Sequence, residues 1–227
     1  MAFAPVFQRP FSATFDRRAA VAAWYRAGGA PLPVAAYQPK GAASLAASYV
    51  NLALPGTYDA APGVAPSFDA ATGWTFNRSL GQYLSISNTG YLLKPTTVLI
   101  RMTRSGTSFR GVLGGSSNVC FAILVWNNNR EKIQSQYITD IYDGENAFPE
   151  ADTVLGFSYS AVGAYAHYRN GMLVSSGTKN VIITTKTDRI GYSPDGTFTG
   201  SMAAISIYNT TLTAPQVAAV SAAMAAL

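Results

Sequence analysis

The amino-acid sequence predicts an all-β protein, an antiparallel two-sheet sandwich with an extended N-terminal arm and a short C-terminal helix. Short apolar runs recur from Val34 onward, and turn-forming residues separate them about every ten residues. The chain has 227 residues, a length at which one sandwich forms a single domain, and 48% of them are hydrophobic. We therefore expect a domain over residues 34–227, preceded by an arm over residues 1–33.

The chain carries little charge, and most of its net charge lies near one end. Charged residues make up 12% of the chain, about half of the share usual in globular proteins. Such a surface is rich in hydroxyl and amide groups and suits contact with another protein or with a sugar. The formal net charge is +5, and +4 of it falls within the first forty residues. A basic arm on a nearly neutral domain is expected, and nucleic acid binding is disfavoured.

The arm lacks a hydrophobic face large enough to fold alone. Prolines interrupt it, and a short helix is expected over residues 16–26, ended by Gly28-Gly29. Phenylalanines recur at every fourth residue, and a free tail exposing them would tend to aggregate. We therefore expect the arm either to drape over the domain or to dock on another subunit, in a homo-oligomer. The residues expected to serve this assembly are Phe3, Phe7, Phe11, Phe15, Arg17 and Arg18.

Short strands follow the arm. The first is predicted within residues 34–40, and residues 48–68, with their prolines and glycines, are expected to form an irregular connection. Residues 73–86 predict a strand on each side of a turn at Asn77–Gly81. The continuously apolar run at residues 121–127 predicts a central strand. Further strands are expected within residues 134–144, 153–161, 165–171, 172–178, 181–192 and 202–209.

One strand, Thr96–Arg104, alternates between two faces. Its period places Val98, Ile100 and Met102 on one face. The opposite face receives Thr97, Leu99, Arg101 and Thr103.

A tight hairpin is predicted at Asn170-Gly171. This dipeptide tolerates positive φ at both central positions, as a type I′ turn requires. Residues 165–169 are therefore expected to pair with residues 172–176.

A helix is predicted over residues 213–227. Thr213 and Gln216 form a capping box, and Pro215 suits the first turn. Val217, Val220, Met224 and Leu227 then recur at steps of three and four residues. Such an amphipathic helix is expected to close over the sandwich or over a neighbouring chain.

Several spaced motifs occur in a familiar order. They are Tyr168-Arg169-Asn170-Gly171, Ile190-Gly191, Phe198-Thr199-Gly200, Ile207-Tyr208-Asn209 and Leu212-Thr213, with Gly73–Ile86 as an earlier strand pair. In this order the chain resembles the laminin-G-like and concanavalin A-like jelly-roll domains, over about residues 35–227. The resemblance implies a jelly-roll sandwich. That family includes sugar binders, glycosidases and structural modules, so function is left open.

The general layout, an arm and a lone domain, is also similar to surface proteins of tailed bacteriophages. That resemblance implies a capsid decoration, head-fibre or tail protein. The first residues contain no apolar run long enough for a signal peptide, and no stretch approaches the length of a membrane span. We accordingly expect synthesis in a host cytoplasm and a location in the virion.

Catalysis is not expected. The related glucanases use a Glu-x-Asp-x-Glu strand, and the nearest segment here runs from Glu150 through Asp152 to Val154. One of the paired carboxylates required for glycoside hydrolysis therefore has no counterpart. Pro149 also favours a loop over a central strand.

Asp140, Asp143 and Glu145, beside Asn146, offer oxygen ligands for a calcium site. Carboxylate and amide oxygens are the ligands that Ca²⁺ prefers, and many members of the resembled family bind Ca²⁺ near their loops. A solvated acidic turn explains the same residues without a metal. No other cofactor is expected.

Cysteine and histidine, two residue types with reactive side chains, each occur once in the chain. Cys120 is the only cysteine and lies in an apolar run, so a buried inert thiol is expected. His167 is the only histidine, and the strand period places it with Tyr165 and Arg169. No catalytic or metal-binding pair can be built on it, and a partly buried strand residue is expected.

A sugar site is predicted at the end of the central strand. A pyranose stacks on an aromatic ring while its hydroxyls need polar partners. Trp126, followed by Asn127, Asn128 and Asn129, offers both. The sequence thus predicts a non-catalytic structural or adhesion protein of a larger assembly, with a carbohydrate-binding lectin module as the first alternative and a glucanase-type hydrolase as the second.

Overall fold

The computed structural model describes residues 23–86, 96–105, 110–115, 120–125, 130–135, 139–147, 151–180, 187–194 and 196–227, with the backbone alone at 110, 121, 124–125, 130–135 and 139–147. Its strands, in chain order, are β1 (Ala35–Tyr37), β2 (Ala60–Val64), β3 (Ser67–Asp69), β4 (Gly73–Phe76), β5 (Tyr83–Ile86), β6 (Thr96–Arg104), β7 (Arg110–Gly114), β8 (Phe121–Val125), β9 (Arg130–Ser135), β10 (Thr139–Ala147), β11 (Thr153–Tyr159), β12 (Ala164–Arg169), β13 (Met172–Thr178), β14 (Arg189–Ile190), β15 (Tyr192–Ser193), β16 (Gly196–Thr197) and β17 (Gly200–Tyr208). The α-helices are α1 (Leu45–Ser48) and α2 (Ala214–Ala225), and 3-10 helices lie at Trp24–Gly29 and Arg78–Leu80.

The strands form two sheets. Sheet A has the order β13-β12-β11-β6-β17-β4-β3, with β1 also paired to β17. Sheet B has the order β10-β9-β8-β7-β14-β5-β2. The hairpin β15–β16 joins sheet B where Thr197 pairs in parallel with Gly111; the strands along both orders pair antiparallel. The all-β, antiparallel two-sheet sandwich predicted from the sequence is confirmed.

The main core lies between the two sheets. Its largest fully buried side chains come from both sheets and from the segment after β16, and include Trp74, Phe76, Leu84, Phe157 and Phe198. The Phe76 ring packs edge-on against both Trp74 and Phe198. Alternate residues of β6, namely Val98, Ile100 and Met102, point into this core, as the two-residue period of a strand requires.

A second core lies on the outer face of sheet A. Helix α2 buries Val217, Val220 and Met224 against this face, and Leu99 and Tyr208 belong to the same cluster. Burial of each such aliphatic side chain stabilises the fold by about 1.5–3 kcal/mol. Sheet A is therefore covered by the main core on one face and by α2 on the other.

Three sequence predictions are confirmed in detail. Thr213 caps α2 as half of a capping box with Gln216. Val98, Ile100 and Met102 of β6 enter the main core, while Leu99 enters the second core. Arg169 pairs with Met172 across a turn in which Asn170 and Gly171 have φ of 50° and 78°.

The region predicted as an irregular connection contains strands. β2 lies within residues 48–68 and β3 begins there, and the two strands end sheets B and A, respectively, in the described residues. β2 includes Pro62, which cannot donate a ladder hydrogen bond and is tolerated because β2 is an edge strand. α1 was also missed; its N-cap, Ser44, accepts a hydrogen bond from the Ala47 amide.

The described part of the predicted arm packs against the domain. Trp24 is buried in the second core, and its indole Nε1 donates a hydrogen bond of 3.0 Å to Gln38. Residues 24–29 form a kinked 3-10 helix instead of the end of the α-helix expected over residues 16–26, because Ala27 and Gly28 have non-helical φ/ψ. No helix in the described ranges is long and apolar enough to span a membrane.

Candidate functional site

The outer face of sheet B carries a group of polar and aromatic side chains. Leu84 and Ile190 point into the main core, so their neighbours Tyr83, Ser85 and Arg189 point outward. These three residues are partly exposed. Helix α2 covers the opposite side of the molecule, on sheet A, and leaves this face open.

Glycines bring the hairpin β15–β16 onto this face. A Cβ atom at Gly111 would lie 2.1 Å from the Ser193 amide nitrogen, and one at Gly114 would lie 2.8 Å from the Tyr192 carbonyl oxygen. Because these side chains are absent, the backbone at Tyr192 and Ser193 lies directly against β7. Arg189 pairs with Gly114, so the Tyr192 ring is brought beside Arg189.

Tyr83, Arg189 and Tyr192 form a compact group, which we call the Tyr–Arg–Tyr cluster. The Arg189 guanidinium carbon lies over both rings, 4.8 Å from the Tyr83 centroid and 4.6 Å from that of Tyr192. The two ring centroids are 5.5 Å apart and their planes are inclined by 52°. Cation–π contacts of this kind orient the guanidinium and stabilise it by about 0.5–2 kcal/mol each.

The Tyr83 ring also packs against the backbone of β2 at Gly63. A Cβ atom at Gly63 would lie 2.1 Å from its Cζ, so the ring occupies the space that a side chain at position 63 would fill. Tyr83 and Tyr192 make no hydroxyl hydrogen bond to any described residue. The cluster therefore presents aromatic surface, two phenolic hydroxyls and a guanidinium on a rigid sheet. This is the combination that a sugar ring with its hydroxyls requires.

The sugar site predicted at Trp126–Asn129 lies outside the described residues. Its residues directly follow β8, an interior strand of sheet B, which confirms the central strand predicted there. The stacking role of Trp126 and the polar contacts of Asn127, Asn128 and Asn129 therefore stay a prediction.

The acidic segment predicted as a calcium site has a strand backbone. Asp140, Asp143 and Glu145 lie in β10, which shifts register against β9 between Asp143 and Ala147. Asp143-Gly144 lies within β10 and not in a hairpin turn, and the solvation of the acidic side chains stays a prediction. The metal itself stays a prediction. Among the side chains that the structure describes, no group of His, Cys, Asp and Glu residues could hold a metal ion.

Asp152, the aspartate of the glucanase-like segment, forms an ion pair with Arg101. Arg101, which is 7% exposed, donates from Nε to Asp152 Oδ1 at 3.0 Å and from Nη1 to the Met224 carbonyl at 3.0 Å. The pair thus ties the C-terminal end of α2 to sheet A, where a cation also complements the helix dipole. Val154 is buried in the second core, and Glu150 lies outside the described residues.

The remaining predicted residues are placed as follows. Cys120 is buried, as expected, and its Sγ accepts a hydrogen bond from the Gly115 amide. His167 is fully buried, where partial burial was expected, because β12 turns it toward the main core opposite Phe157. The assembly residues of the arm lie outside the described residues.

Two depressions occur elsewhere on the surface. One, of about 120 Å³, is lined by polar groups that include Lys40, Thr103 and Asp152. The other, of about 300 Å³, is lined mainly by small residues, with Gln38 and Leu52. Neither offers an aromatic ring, so neither has the stacking surface of the Tyr–Arg–Tyr cluster.

The Tyr–Arg–Tyr cluster was not predicted from the sequence. Tyr83 lies in the segment Gly73–Ile86, and Arg189 and Tyr192 flank the Ile190-Gly191 motif. Their proximity depends on the pairing of β5 with β14, which joins residues about a hundred positions apart. No local signal encodes that pairing.

Comparisons with known proteins show the fold. No protein-family model matches the chain, and no curated protein matches it in sequence. A chain of botulinum neurotoxin type C, a toxin that depends on two ganglioside molecules to enter cells, has a TM-score of 0.64 at 7% identity, covering 85% of this chain and 51% of the toxin chain. This chain thus spans about half the length of that toxin chain.

Two further solved structures share the fold. Domain 4 of a GH43 extracellular arabinanase from Geobacillus stearothermophilus, in complex with arabinotriose, has a TM-score of 0.61 at 19% identity and covers 83% of this chain and 98% of that domain. Trypanosoma rangeli sialidase, in complex with sialic acid, has a TM-score of 0.60 at 12% identity and covers 83% and 33%, respectively. The chain therefore shares its β-sandwich fold with these proteins. The predicted phage role gains no support from these structures.

Proposed function

We propose that this protein is a non-catalytic carbohydrate-binding module and that the Tyr–Arg–Tyr cluster is its sugar site. The single observation that carries the proposal is the rigid pairing of Tyr83 and Tyr192 with Arg189 on the open face of sheet B. Tyr192 is partly exposed, and we assign its ring as the stacking surface for a pyranose. The hydroxyls of Tyr83, Ser85 and Tyr192 are the polar partners assigned to the sugar hydroxyls.

The fold likeness supports this class of function without assigning a ligand. The arabinanase domain and the sialidase are described in complex with arabinotriose and with sialic acid, and the neurotoxin depends on gangliosides. Sandwiches of this shape thus occur in proteins that bind glycans. Because one fold hosts many functions, the proposal rests on the cluster.

A catalytic role is disfavoured by Asp152. Its carboxylate is engaged by Arg101 at the end of α2, away from the cluster. The assembly role on a virion surface, with residues 1–33 as its docking arm, stays a prediction from the sequence.

A glycan array tests the proposal with four proteins: wild type, Tyr192→Ala, Tyr192→Phe and Trp126→Ala. We expect wild type to bind a defined set of glycans. Tyr192→Ala should lower that binding by about threefold to tenfold through loss of stacking. Tyr192→Phe, which keeps the ring, should bind more tightly than Tyr192→Ala.

The same array separates the two sugar sites. If Trp126→Ala abolishes binding while Tyr192→Ala matches wild type, the predicted site after β8 is the correct one and the cluster is not. Absence of binding to every glycan would refute the carbohydrate-binding function itself.

A further inference from the structure

Arg189 is a cation whose hydrogen-bond donors are not used by the described residues. Its side chain is 25% exposed. Asp188 Oδ1 lies 3.9 Å from Nε, which is an ion pair beyond hydrogen-bonding distance. A guanidinium carries five N–H donors. Those donors of Arg189 that reach solvent can bind an acceptor brought by a ligand in place of water.

The neighbouring residues determine where that acceptor can approach. The two tyrosine rings cover one side of the guanidinium. The cross-strand partners of Arg189 are Ser85 and Gly114, which carry a small side chain or none. No long side chain from either adjacent strand position therefore reaches over the guanidinium, and the described residues leave its outer edge to a ligand.

The chemistry of that edge selects among sugars. A carboxylate accepts two parallel hydrogen bonds from a guanidinium and neutralises its charge, whereas a sugar hydroxyl offers one neutral acceptor. Asp188 approaches Nε and leaves the two Nη groups for the second partner. The rings hold the guanidinium plane in place, so less side-chain entropy is lost on binding.

We infer that the ligand of the Tyr–Arg–Tyr cluster is a sugar that carries a carboxylate, bound by the Nη groups of Arg189. This inference rests on the proposed function and names the class of its ligand. The sugar ring lies against Tyr192, and its hydroxyls meet the phenolic hydroxyls of the cluster. Uronic acids and sialic acids both meet this description.

The test is an NMR titration with four small probes, one of which, glucose 6-sulfate, carries a sulfate instead of a carboxylate. Methyl glucuronide and methyl glucoside differ by a carboxylate in place of a hydroxymethyl group, and a methyl sialoside supplies the other carboxylate source. Wild type should bind one of the two acidic probes at least about tenfold more tightly than methyl glucoside, as a charge-assisted bidentate contact allows. The acidic probe that binds more tightly shows whether the carboxylate sugar is a uronic acid or a sialic acid.

Variants assign the preference to one residue. Arg189→Gln should abolish the preference for the acidic probe, and Arg189→Lys should retain only part of it, because lysine lacks the planar fork. Arg26→Gln is the matched control, since Arg26 is an exposed cation in the 3-10 helix that packs against α2. It should leave the preference unchanged. Circular dichroism of each variant checks the fold.

Each contrary outcome has a distinct meaning. Equal affinity for methyl glucuronide, the sialoside and methyl glucoside would overturn the ligand class and leave the carbohydrate-binding function standing. An acidic preference that survives in Arg189→Gln would overturn the role of Arg189. Tighter binding of glucose 6-sulfate than of either carboxylate probe would overturn the carboxylate assignment. If the array detects no glycan at all, the proposed function falls together with this inference.

Discussion

At the scale of single residues, Tyr208 links the N-terminal segment to sheet A. Its hydroxyl donates a hydrogen bond of 2.6 Å to the Tyr25 carbonyl, inside the second core. Burial raises the pKa of Tyr208 to about 12. The neutral phenol is thus the form that the folded chain favours.

This raised pKa predicts a loss of stability in alkali. The folded chain holds the proton more tightly than the unfolded chain, so the stabilisation is complete below the ordinary pKa of 10 and is lost as pH rises toward about 12. We expect the free energy of unfolding to fall by about 1–3 kcal/mol more in wild type than in Tyr208→Phe over that range. Urea unfolding of both proteins at the two ends of the range measures this difference. An identical pH dependence would contradict the assignment, since the other tyrosines are common to both.

At the scale of elements, the hairpin of β12 and β13 supports α2. Gly171 lies in the turn with φ of 78°, and a Cβ atom there would be 2.9 Å from the Ala218 Cα of the helix. Asn170 Oδ1 in turn accepts a hydrogen bond of 2.8 Å from the Val154 amide of β11. The Asn-Gly pair therefore closes the hairpin and also permits the close approach of the helix.

The helix contact can be separated from the backbone strain by comparing two glycines. Gly81 has φ of 62° and nothing within 4 Å of a Cβ placed there, so Gly81→Ala carries the strain alone. Gly171→Ala adds a clash with α2 and should destabilise the protein by about 1–3 kcal/mol more than Gly81→Ala. Thermal or urea unfolding measures both. Equal losses would mean that α2 does not rest on the turn.

Elements with strong local signals were predicted correctly. The capping box at Thr213, the Asn170-Gly171 turn and the alternation in β6 each act over a few residues, and each is found. β2 was missed because Pro62 argues against a strand unless that strand is known to be an edge. Whether a strand lies at the edge of a sheet depends on how all the strands of that sheet pair.

At the scale of the whole molecule, the two sheets have different surroundings. Sheet A is covered by α2 and by the 3-10 helix at Trp24–Gly29, whereas the outward residues of β5 and β14 remain partly exposed on sheet B. The open face is where the sandwich can meet a ligand. The fold class followed from turn spacing and composition, but the site did not. Tyr83 and Arg189 become neighbours only through the pairing of distant strands.

We expect a glycan to bind the open face of sheet B, and NMR chemical-shift mapping locates the bound glycan on the protein. Isotope-labelled wild type is titrated with the glycan that binds best on the array. We expect the largest shift changes on Tyr83, Ser85, Arg189 and Tyr192. Largest changes at residues 126–129, beside Lys40 or along α2, or no changes at saturating glycan, would contradict this expectation.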